Sequence, residues 1–174
     1  MATNVVFEIL YKEYYVRVYG LCRRLLNSTS QAEDATQETF MRAYRQFKRY
    51  KQDQPFWHWI AAIASHYCVD LLRQRSRTPQ FFGGEAQELD LVESADVGVL
   101  DTLIEAEDAG AVNAAIASLD DKYRVPLVLA YFNESSYDEI AKTLSISRNH
   151  VGVLLLRAKQ QLRTTLGQDP GGDA

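Results

Sequence analysis

Apolar residues return at steps of three and four along almost all of this 174-residue chain, and no stretch alternates with period two for long. That spacing lines one stripe of an α-helix with apolar side chains, so the expected fold class is all-α. The period fails from Thr78 to about Asp96, where Pro79, Gly83-Gly84 and scattered acids read as a linker. Two small helical domains, one on each side of that connector, are therefore expected.

Charge divides at the same places. Residues 1–77 hold 12 Lys and Arg against 7 Asp and Glu, residues 78–121 hold 11 acids and no base, and residues 122–174 hold 7 bases against 5 acids. The overall charge of −4 thus hides two basic modules around a strongly acidic tether, and that asymmetry is the first functional clue. With 47% apolar and 24% charged residues, the balance is that of a soluble globular protein, not of a disordered chain. The longest apolar runs, such as Ile60-Ala61-Ala62-Ile63-Ala64, are too short for a bilayer, and the N-terminus lacks the pattern of a signal peptide. No membrane insertion and a cytoplasmic address are expected. Cys22 and Cys68 have no paired spacing, and they read as buried free thiols with no disulfide framework or zinc site. His58, His66 and His150 fall on different expected helices, and no Gly-rich phosphate loop, nucleophile elbow or HExxH is present. Neither a metal, a cofactor nor an enzymatic activity is expected.

In the first block Tyr11, Tyr14, Val18, Leu21 and Leu25 make one stripe, stopped by Asn27-Ser28-Thr29. Ser30-Gln31-Ala32-Glu33 has the form of a capping box opening a second helix. That helix is expected to bury Ala32, Thr36, Phe40, Ala43 and Phe47, leaving Asp34, Gln37, Glu38, Met41 and Arg45 on the other face. After the polar break Tyr50–Gln54, Pro55 suits the first turn of a third helix that runs to about Arg77. It is expected to bury Phe56, Ile60, Ile63, Tyr67 and Leu71, and it ends in Arg73, Arg75 and Arg77. Beyond the linker a weak helical pattern returns at Val99–Leu103 and becomes clear from Ala114 to Tyr131. The expected organisation is a first domain over 1–77, a linker over 78–110, a second domain over 111–168 and a flexible tail over 169–174.

Ser136-Tyr137-Asp138-Glu139 is another capping box, opening a short helix Tyr137–Leu144. Ser145-Ile146-Ser147 breaks the pattern, and Ser147 is placed to cap a longer helix from Arg148 to about Leu166. With Ala141 at the tight crossing, Ile140, Leu144, Ile146, Val151 and Leu154 take the core positions of a helix-turn-helix. Any helical hairpin is the plainer reading of that pattern, and Ser145 stands where such turns usually have Gly. A helix-turn-helix inserts the start of its second helix into the major groove, and here that start offers Arg148, Asn149 and His150. Arg157, Lys159 and Arg163 lie further along for phosphates or for simple solvation.

Together these segments resemble the extracytoplasmic-function (group IV) sigma factors of bacterial RNA polymerase. In the first block the matching residues are Glu33-Asp34-Ala35-Thr36-Gln37-Glu38-Thr39-Phe40, Phe56-Trp57-His58-Trp59-Ile60, Ile63-Ala64 and Asp70-Leu71-Leu72-Arg73. In the second they are Ser118-Leu119, Tyr123-Arg124, Ser136-Tyr137-Asp138-Glu139-Ile140-Ala141, Leu155-Leu156-Arg157-Ala158-Lys159 and Leu162-Arg163. The resemblance covers about residues 4–77 and 111–166. It implies core RNA polymerase and promoter DNA as partners, with the chain directing promoter recognition, melting and initiation. Many members of that family are also held by an anti-sigma factor.

By the same resemblance Asp34, Gln37, Glu38, Met41 and Arg45 dock on the polymerase, where residues alone would suggest an ordinary solvated face. Lys48, Arg49, Tyr50, Lys51, Phe56, Trp57, His66, Arg73, Arg75 and Arg77 correspond to the element that holds the −10 region single-stranded. Aromatic rings beside cations suit unstacked bases, but Phe56 and Trp57 are equally placed to be core, and Trp59 reads as core. Ser147, Arg148, Asn149, His150, Arg157 and Lys159 correspond to the −35 reader. The acidic segment corresponds to a connector that threads the polymerase channel; shielding of the basic domains or simple solubility are alternatives. Two departures stand out: His66, preceded by Ser65, replaces the family's usual Asn, and Gly152, Val153 and Leu154 replace basic or small polar residues. A self-standing helix-turn-helix regulator accounts for residues 111–166 equally well, but not for the Lys48–Trp59 segment or the Asp34–Arg45 stripe.

Overall fold

The computed structural model describes residues 2–76, 82–83 and 109–167. The chain divides into two compact units, Met1–Arg77 and Thr78–Ala174. Among the described residues all regular structure is helical, and no helix is long and apolar enough to cross a membrane.

The first unit is a three-helix bundle of α1 (Ala2–Leu26), α2 (Thr29–Gln46) and α3 (Phe56–Arg75), with a 3-10 turn at Phe47–Arg49. Each helix packs on the other two. Val18, Leu21 and Leu25 meet Ala32, Ala35, Phe40 and Ala43 from α2 and Ile60, Ala61, Ala64 and Leu72 from α3, all buried. The alanines let the backbones approach closely. The buried hydroxyls of Thr36 and Thr39 donate to the carbonyls of Ala32 and Ala35 at 2.6 and 2.7 Å, which satisfies them inside the bundle.

Four local expectations are corrected. The cap of α2 is Ser28, not Ser30: its Oγ accepts from the Gln31 N–H at 3.4 Å. Asn27, at φ 52, ends α1 so abruptly that Ser28 is already extended and Ser30 lies within the first turn. On α3 the buried set is Phe56, Trp57, Ile60, Ala61, Ala64, Ser65, Cys68, Val69 and Leu72, while Ile63, Tyr67 and Leu71 are half-buried. This helix touches both others, so its covered face is broader than one stripe and is carried by small residues. Phe47 sits half-buried in the 3-10 turn, and on α1 Tyr11 is exposed.

Cys22 and Cys68 are buried free thiols. A hydrogen bond with Cys22 and burial raise the Cys68 thiol well above its ordinary value, and the bond from Cys68 lowers Cys22.

In the second unit α4 (Ala109–Ser118), α5 (Asp121–Tyr131) and α6 (Tyr137–Leu144) all contact α7 (Arg148–Thr165). Ile116, Leu119, Val125, Leu127, Val128, Ile140, Leu144, Val151, Leu154, Leu155, Ala158 and Leu162 form the core. The capping box is made in full: Glu139 N–H donates to Ser136 Oγ at 3.1 Å, and Ser136 N–H to Glu139 Oε2 at 3.4 Å. Ser145 takes the left-handed conformation (φ 56) that such turns usually assign to Gly, and the next residue, Ile146, donates its N–H to Ala141 O at 3.0 Å. Ser147 caps α7 by accepting from His150 N–H at 3.1 Å. Arg124 is buried, donating to Leu119 O at 2.9 Å and pairing with Asp121, so it ties the α4–α5 corner together. The weak helix expected at Val99–Leu103, Arg77, most of the 78–110 linker and the 169–174 tail lie outside the described residues.

Candidate nucleic-acid interface

Three surfaces carry the residues singled out by the sequence. On α2, Asp34, Gln37, Met41 and Arg45 are exposed, Met41 at 50%. Glu38 is half-buried and engaged by Arg42 Nε at 3.0 Å, and the Arg42 guanidinium lies 4.7 Å from the centre of the Tyr67 ring. Burial, then the Glu38 charge, raises the Tyr67 phenol above its ordinary value. The sequence reading missed Tyr44, which is 50% exposed, packs its ring on Phe7 and donates its hydroxyl to Asn4 Oδ1 at 2.8 Å. An outward aromatic one turn from Met41 was the available signal.

The second surface surrounds the 3-10 turn. Lys48, Arg49 and Lys51 are exposed beside a cluster of rings. Tyr50 stacks on Phe47 at 6.0 Å and tilts against Trp59 at 5.1 Å, and its hydroxyl donates to Gln54 O, closing the loop on itself. Burial among these rings, followed by Tyr14 and Asp53, raises the Tyr50 phenol. Phe56 and Trp57 take the core alternative, at 5% and 7% exposure. Trp57 stacks with Tyr14, and the Arg17 guanidinium sits 3.9 Å from its ring centre. They are therefore not the rings open to a base. Tyr50 and Trp59, both half-buried, are the partly open ones. Trp59, read from sequence as core, is the functional candidate that periodicity hides. Along α3 an exposed line steps by four through His58, Ala62, His66, Asp70 and Gln74. Arg73 leans toward Asp70 at 3.5 Å, and Arg75 is exposed.

On the third surface Ser147, Arg148 and Asn149 are exposed at the start of α7, and Arg148 approaches Asp138 at 3.5 Å. Arg157 is half-buried. Two expected DNA contacts do not face solvent. His150 is 6% exposed because its ring Nε2 is held 2.8 Å from Phe82 O. Lys159 is 5% exposed, with its ammonium 5.8 Å from the centre of the Tyr131 ring.

Comparison with known proteins gives the family. Residues 10–78 match the family model of Sigma-70 region 2, and residues 109–162 match that of Sigma-70, region 4. The chain is 32% identical over 161 residues to the ECF RNA polymerase sigma factor SigW of Bacillus subtilis, covering 88% of this chain and 84% of SigW. The chain belongs to the ECF sigma factors. It is likewise 32% identical to SigE of Mycolicibacterium smegmatis, covering 93% of this chain and 62% of that longer protein. The fold agrees with the sigma factor RpoE of Bartonella quintana, crystallised with the anti-sigma factor NepR, at a TM-score of 0.62 and 18% identity over 94% of this chain and 98% of RpoE. As a sigma factor the chain partners core RNA polymerase and promoter DNA in transcription initiation. In this sigma factor Lys48 and Arg49 lie on the 3-10 turn, Arg73 and Arg75 at the end of α3 and Arg148 in the first turn of α7.

Proposed function

We propose a division of labour within this ECF sigma factor. Residues 1–77 dock on core polymerase through Asp34, Gln37, Met41 and Arg45, with Glu38 shaping the stripe and Tyr44 extending it. The same unit receives the opened −10 strand at Tyr50 and Trp59, flanked by Lys48, Arg49 and Lys51, with His66, Arg73, Arg75 and Arg77 following the backbone. Residues 111–168 engage the −35 duplex through Ser147, Arg148 and Asn149, with Arg157 for phosphate. The acidic segment between them occupies the polymerase channel. The protein acts in the cytoplasm, selects and melts promoters, and leaves the chemistry to polymerase. An anti-sigma factor, of the kind that holds the Bartonella RpoE, is a further partner.

One observation carries this reading: a half-open aromatic cluster ringed by cations sits in the same bundle as an exposed, partly apolar α2 stripe. Bases stack only after unpairing, so a cluster of this kind serves a single strand and not a duplex. The test is promoter-specific transcription from purified core polymerase on adding the chain, with Asp34→Ala plus Gln37→Ala as the docking control. Transcripts that survive the double substitution at equal sigma concentration would remove the docking assignment. No stimulation at any promoter, together with no capture by core, would remove the whole division of labour.

A further inference from the structure

Six residues of α7 in succession, His150, Val151, Gly152, Val153, Leu154 and Leu155, are buried. Six positions exceed one turn of about 3.6 residues, so the helix is covered on every side at this level. α4, α5 and α6 all pack on α7, and Val151, Leu154 and Leu155 belong to the shared core. Val153 lies opposite the stripe of Val151, Leu155, Ala158 and Leu162 and is yet only 3% exposed. His150 and Gly152 flank it. This is the side that a helix-turn-helix offers to the major groove.

Among the described residues the group identified over that turn is Phe82, itself 3% exposed, whose carbonyl lies 2.8 Å from His150 Nε2. A carbonyl only accepts, so Nε2 donates, and in the neutral ring Nδ1 then keeps a lone pair. Nδ1 is buried and finds no hydrogen-bond partner among the described residues. The contact therefore strands one nitrogen while satisfying the other, and release restores water or a DNA donor to Nδ1. Such a contact holds without being deep. Phe82 also belongs to the 78–121 stretch of 11 acids and no base, which is attracted to a basic helix and repelled by phosphate.

We propose that Phe82 and His150 form an intramolecular latch that closes the outer face of the first turns of α7, and that engaging −35 duplex DNA requires Phe82 to leave. The latch rests on the assignment of α7 as the −35 reader and adds its regulation: the free chain hides part of its own recognition surface. His150 thereby becomes a DNA contact only in the released state.

The test places a cysteine at Val153 (Val153→Cys) in the full chain and follows its reaction with N-ethylmaleimide by intact mass. Cys22 and Cys68, buried in the other unit, should stay unmodified. Labelling is expected to be slow in that parent and roughly tenfold or more faster on adding Phe82→Ser or His150→Ala, since both open the covered state. Phe82→Leu, which keeps an apolar anchor, and His150→Gln, which keeps a donor, should stay slow. If Phe82→Ser also loses the second unit's helicity by circular dichroism, the His150→Ala and His150→Gln pair decides. Fast labelling in the parent, or equal rates in all variants, overturns the latch. The second arm measures binding of a fluorescent mixed-sequence duplex to the chain with native Val153. Accelerated labelling with unchanged duplex binding by Phe82→Ser would leave the latch standing and overturn α7 as the −35 reader.

Discussion

The outer faces of α2 and α7 look alike in sequence, each a polar helix flank with an apolar residue set into it, and they end in opposite states. Met41 on α2 is 50% exposed, whereas Val153 on α7 is 3% exposed. Helical periodicity reports which side of a helix faces its nearest partners, and on α2 that is the whole story. On α7 the carbonyl of Phe82, 68 positions before His150, lies 2.8 Å from the His150 ring. The spacing of apolar residues along one helix does not report a cover that comes from elsewhere in the chain.

The largest expected effects bear on the two sides of α7. Leu155→Ala, on the inner face, should destabilise the second unit by about 3 kcal/mol, and Val153→Ala, on the outer face, by about 1 kcal/mol, as measured by urea unfolding. Met41→Ala should leave stability within about 0.5 kcal/mol of the parent. A Val153→Ala variant as stable as the parent would mean that the outer face of α7 is as open as that of α2, and the contrast would dissolve.

Next in size is the loss of polymerase affinity. Met41→Ala with Tyr44→Ala removes the apolar part of the α2 stripe and should weaken capture by core polymerase roughly tenfold, about 1.4 kcal/mol, in a fluorescence titration. Glu38→Ala should do less, because Arg42 already holds that carboxylate. Equal losses from the two variants would show that charge, and not the exposed Met and Tyr, marks the interface.

Helix starts give a smaller and cleaner comparison. Ser136 accepts from Glu139 N–H at 3.1 Å and receives a return contact, while Ser28 makes one longer bond of 3.4 Å. Ser136→Ala should therefore cost about 1 kcal/mol and Ser28→Ala about half as much. Reversed magnitudes would break the link between cap geometry and stability here. The same pair shows what was legible in the sequence. Ser136-Tyr137-Asp138-Glu139 was readable because a clean loop precedes it. Ser30-Gln31-Ala32-Glu33 was misleading because Asn27 turns the chain two residues sooner than composition suggests. The turn at Ser145 and most of the core were readable from spacing, whereas the break that divides the Ala114–Tyr131 pattern between α4 and α5 was not. The face of α3 was not, because alanines and Ser65 carry no strong apolar signal yet fill the tightest contacts. Trp57 is buried and Trp59 only half-buried for a similar reason: helical spacing locates a ring on a face, but not which ring Tyr14 and Arg17 will occupy.

The smallest effect separates two cations on one helix. Among the described residues Arg148 is exposed and meets the exposed Asp138 at 3.5 Å, a surface pair of little worth, so its charge is available to phosphate. Lys159 has its ammonium packed near Tyr131 at 5% exposure. Each phosphate contact releases condensed counterions, so losing one lowers the slope of log K against log salt by about one. Arg148→Ala in the polymerase–promoter complex should show that drop, with weakening spread evenly over promoter sequences. Lys159→Ala should leave the slope unchanged and lower thermal stability instead, through the packing of its long stem. A salt slope that falls for Lys159→Ala and not for Arg148→Ala would mean that α7 meets DNA along its later turns, and the exposed first turn would lose its role.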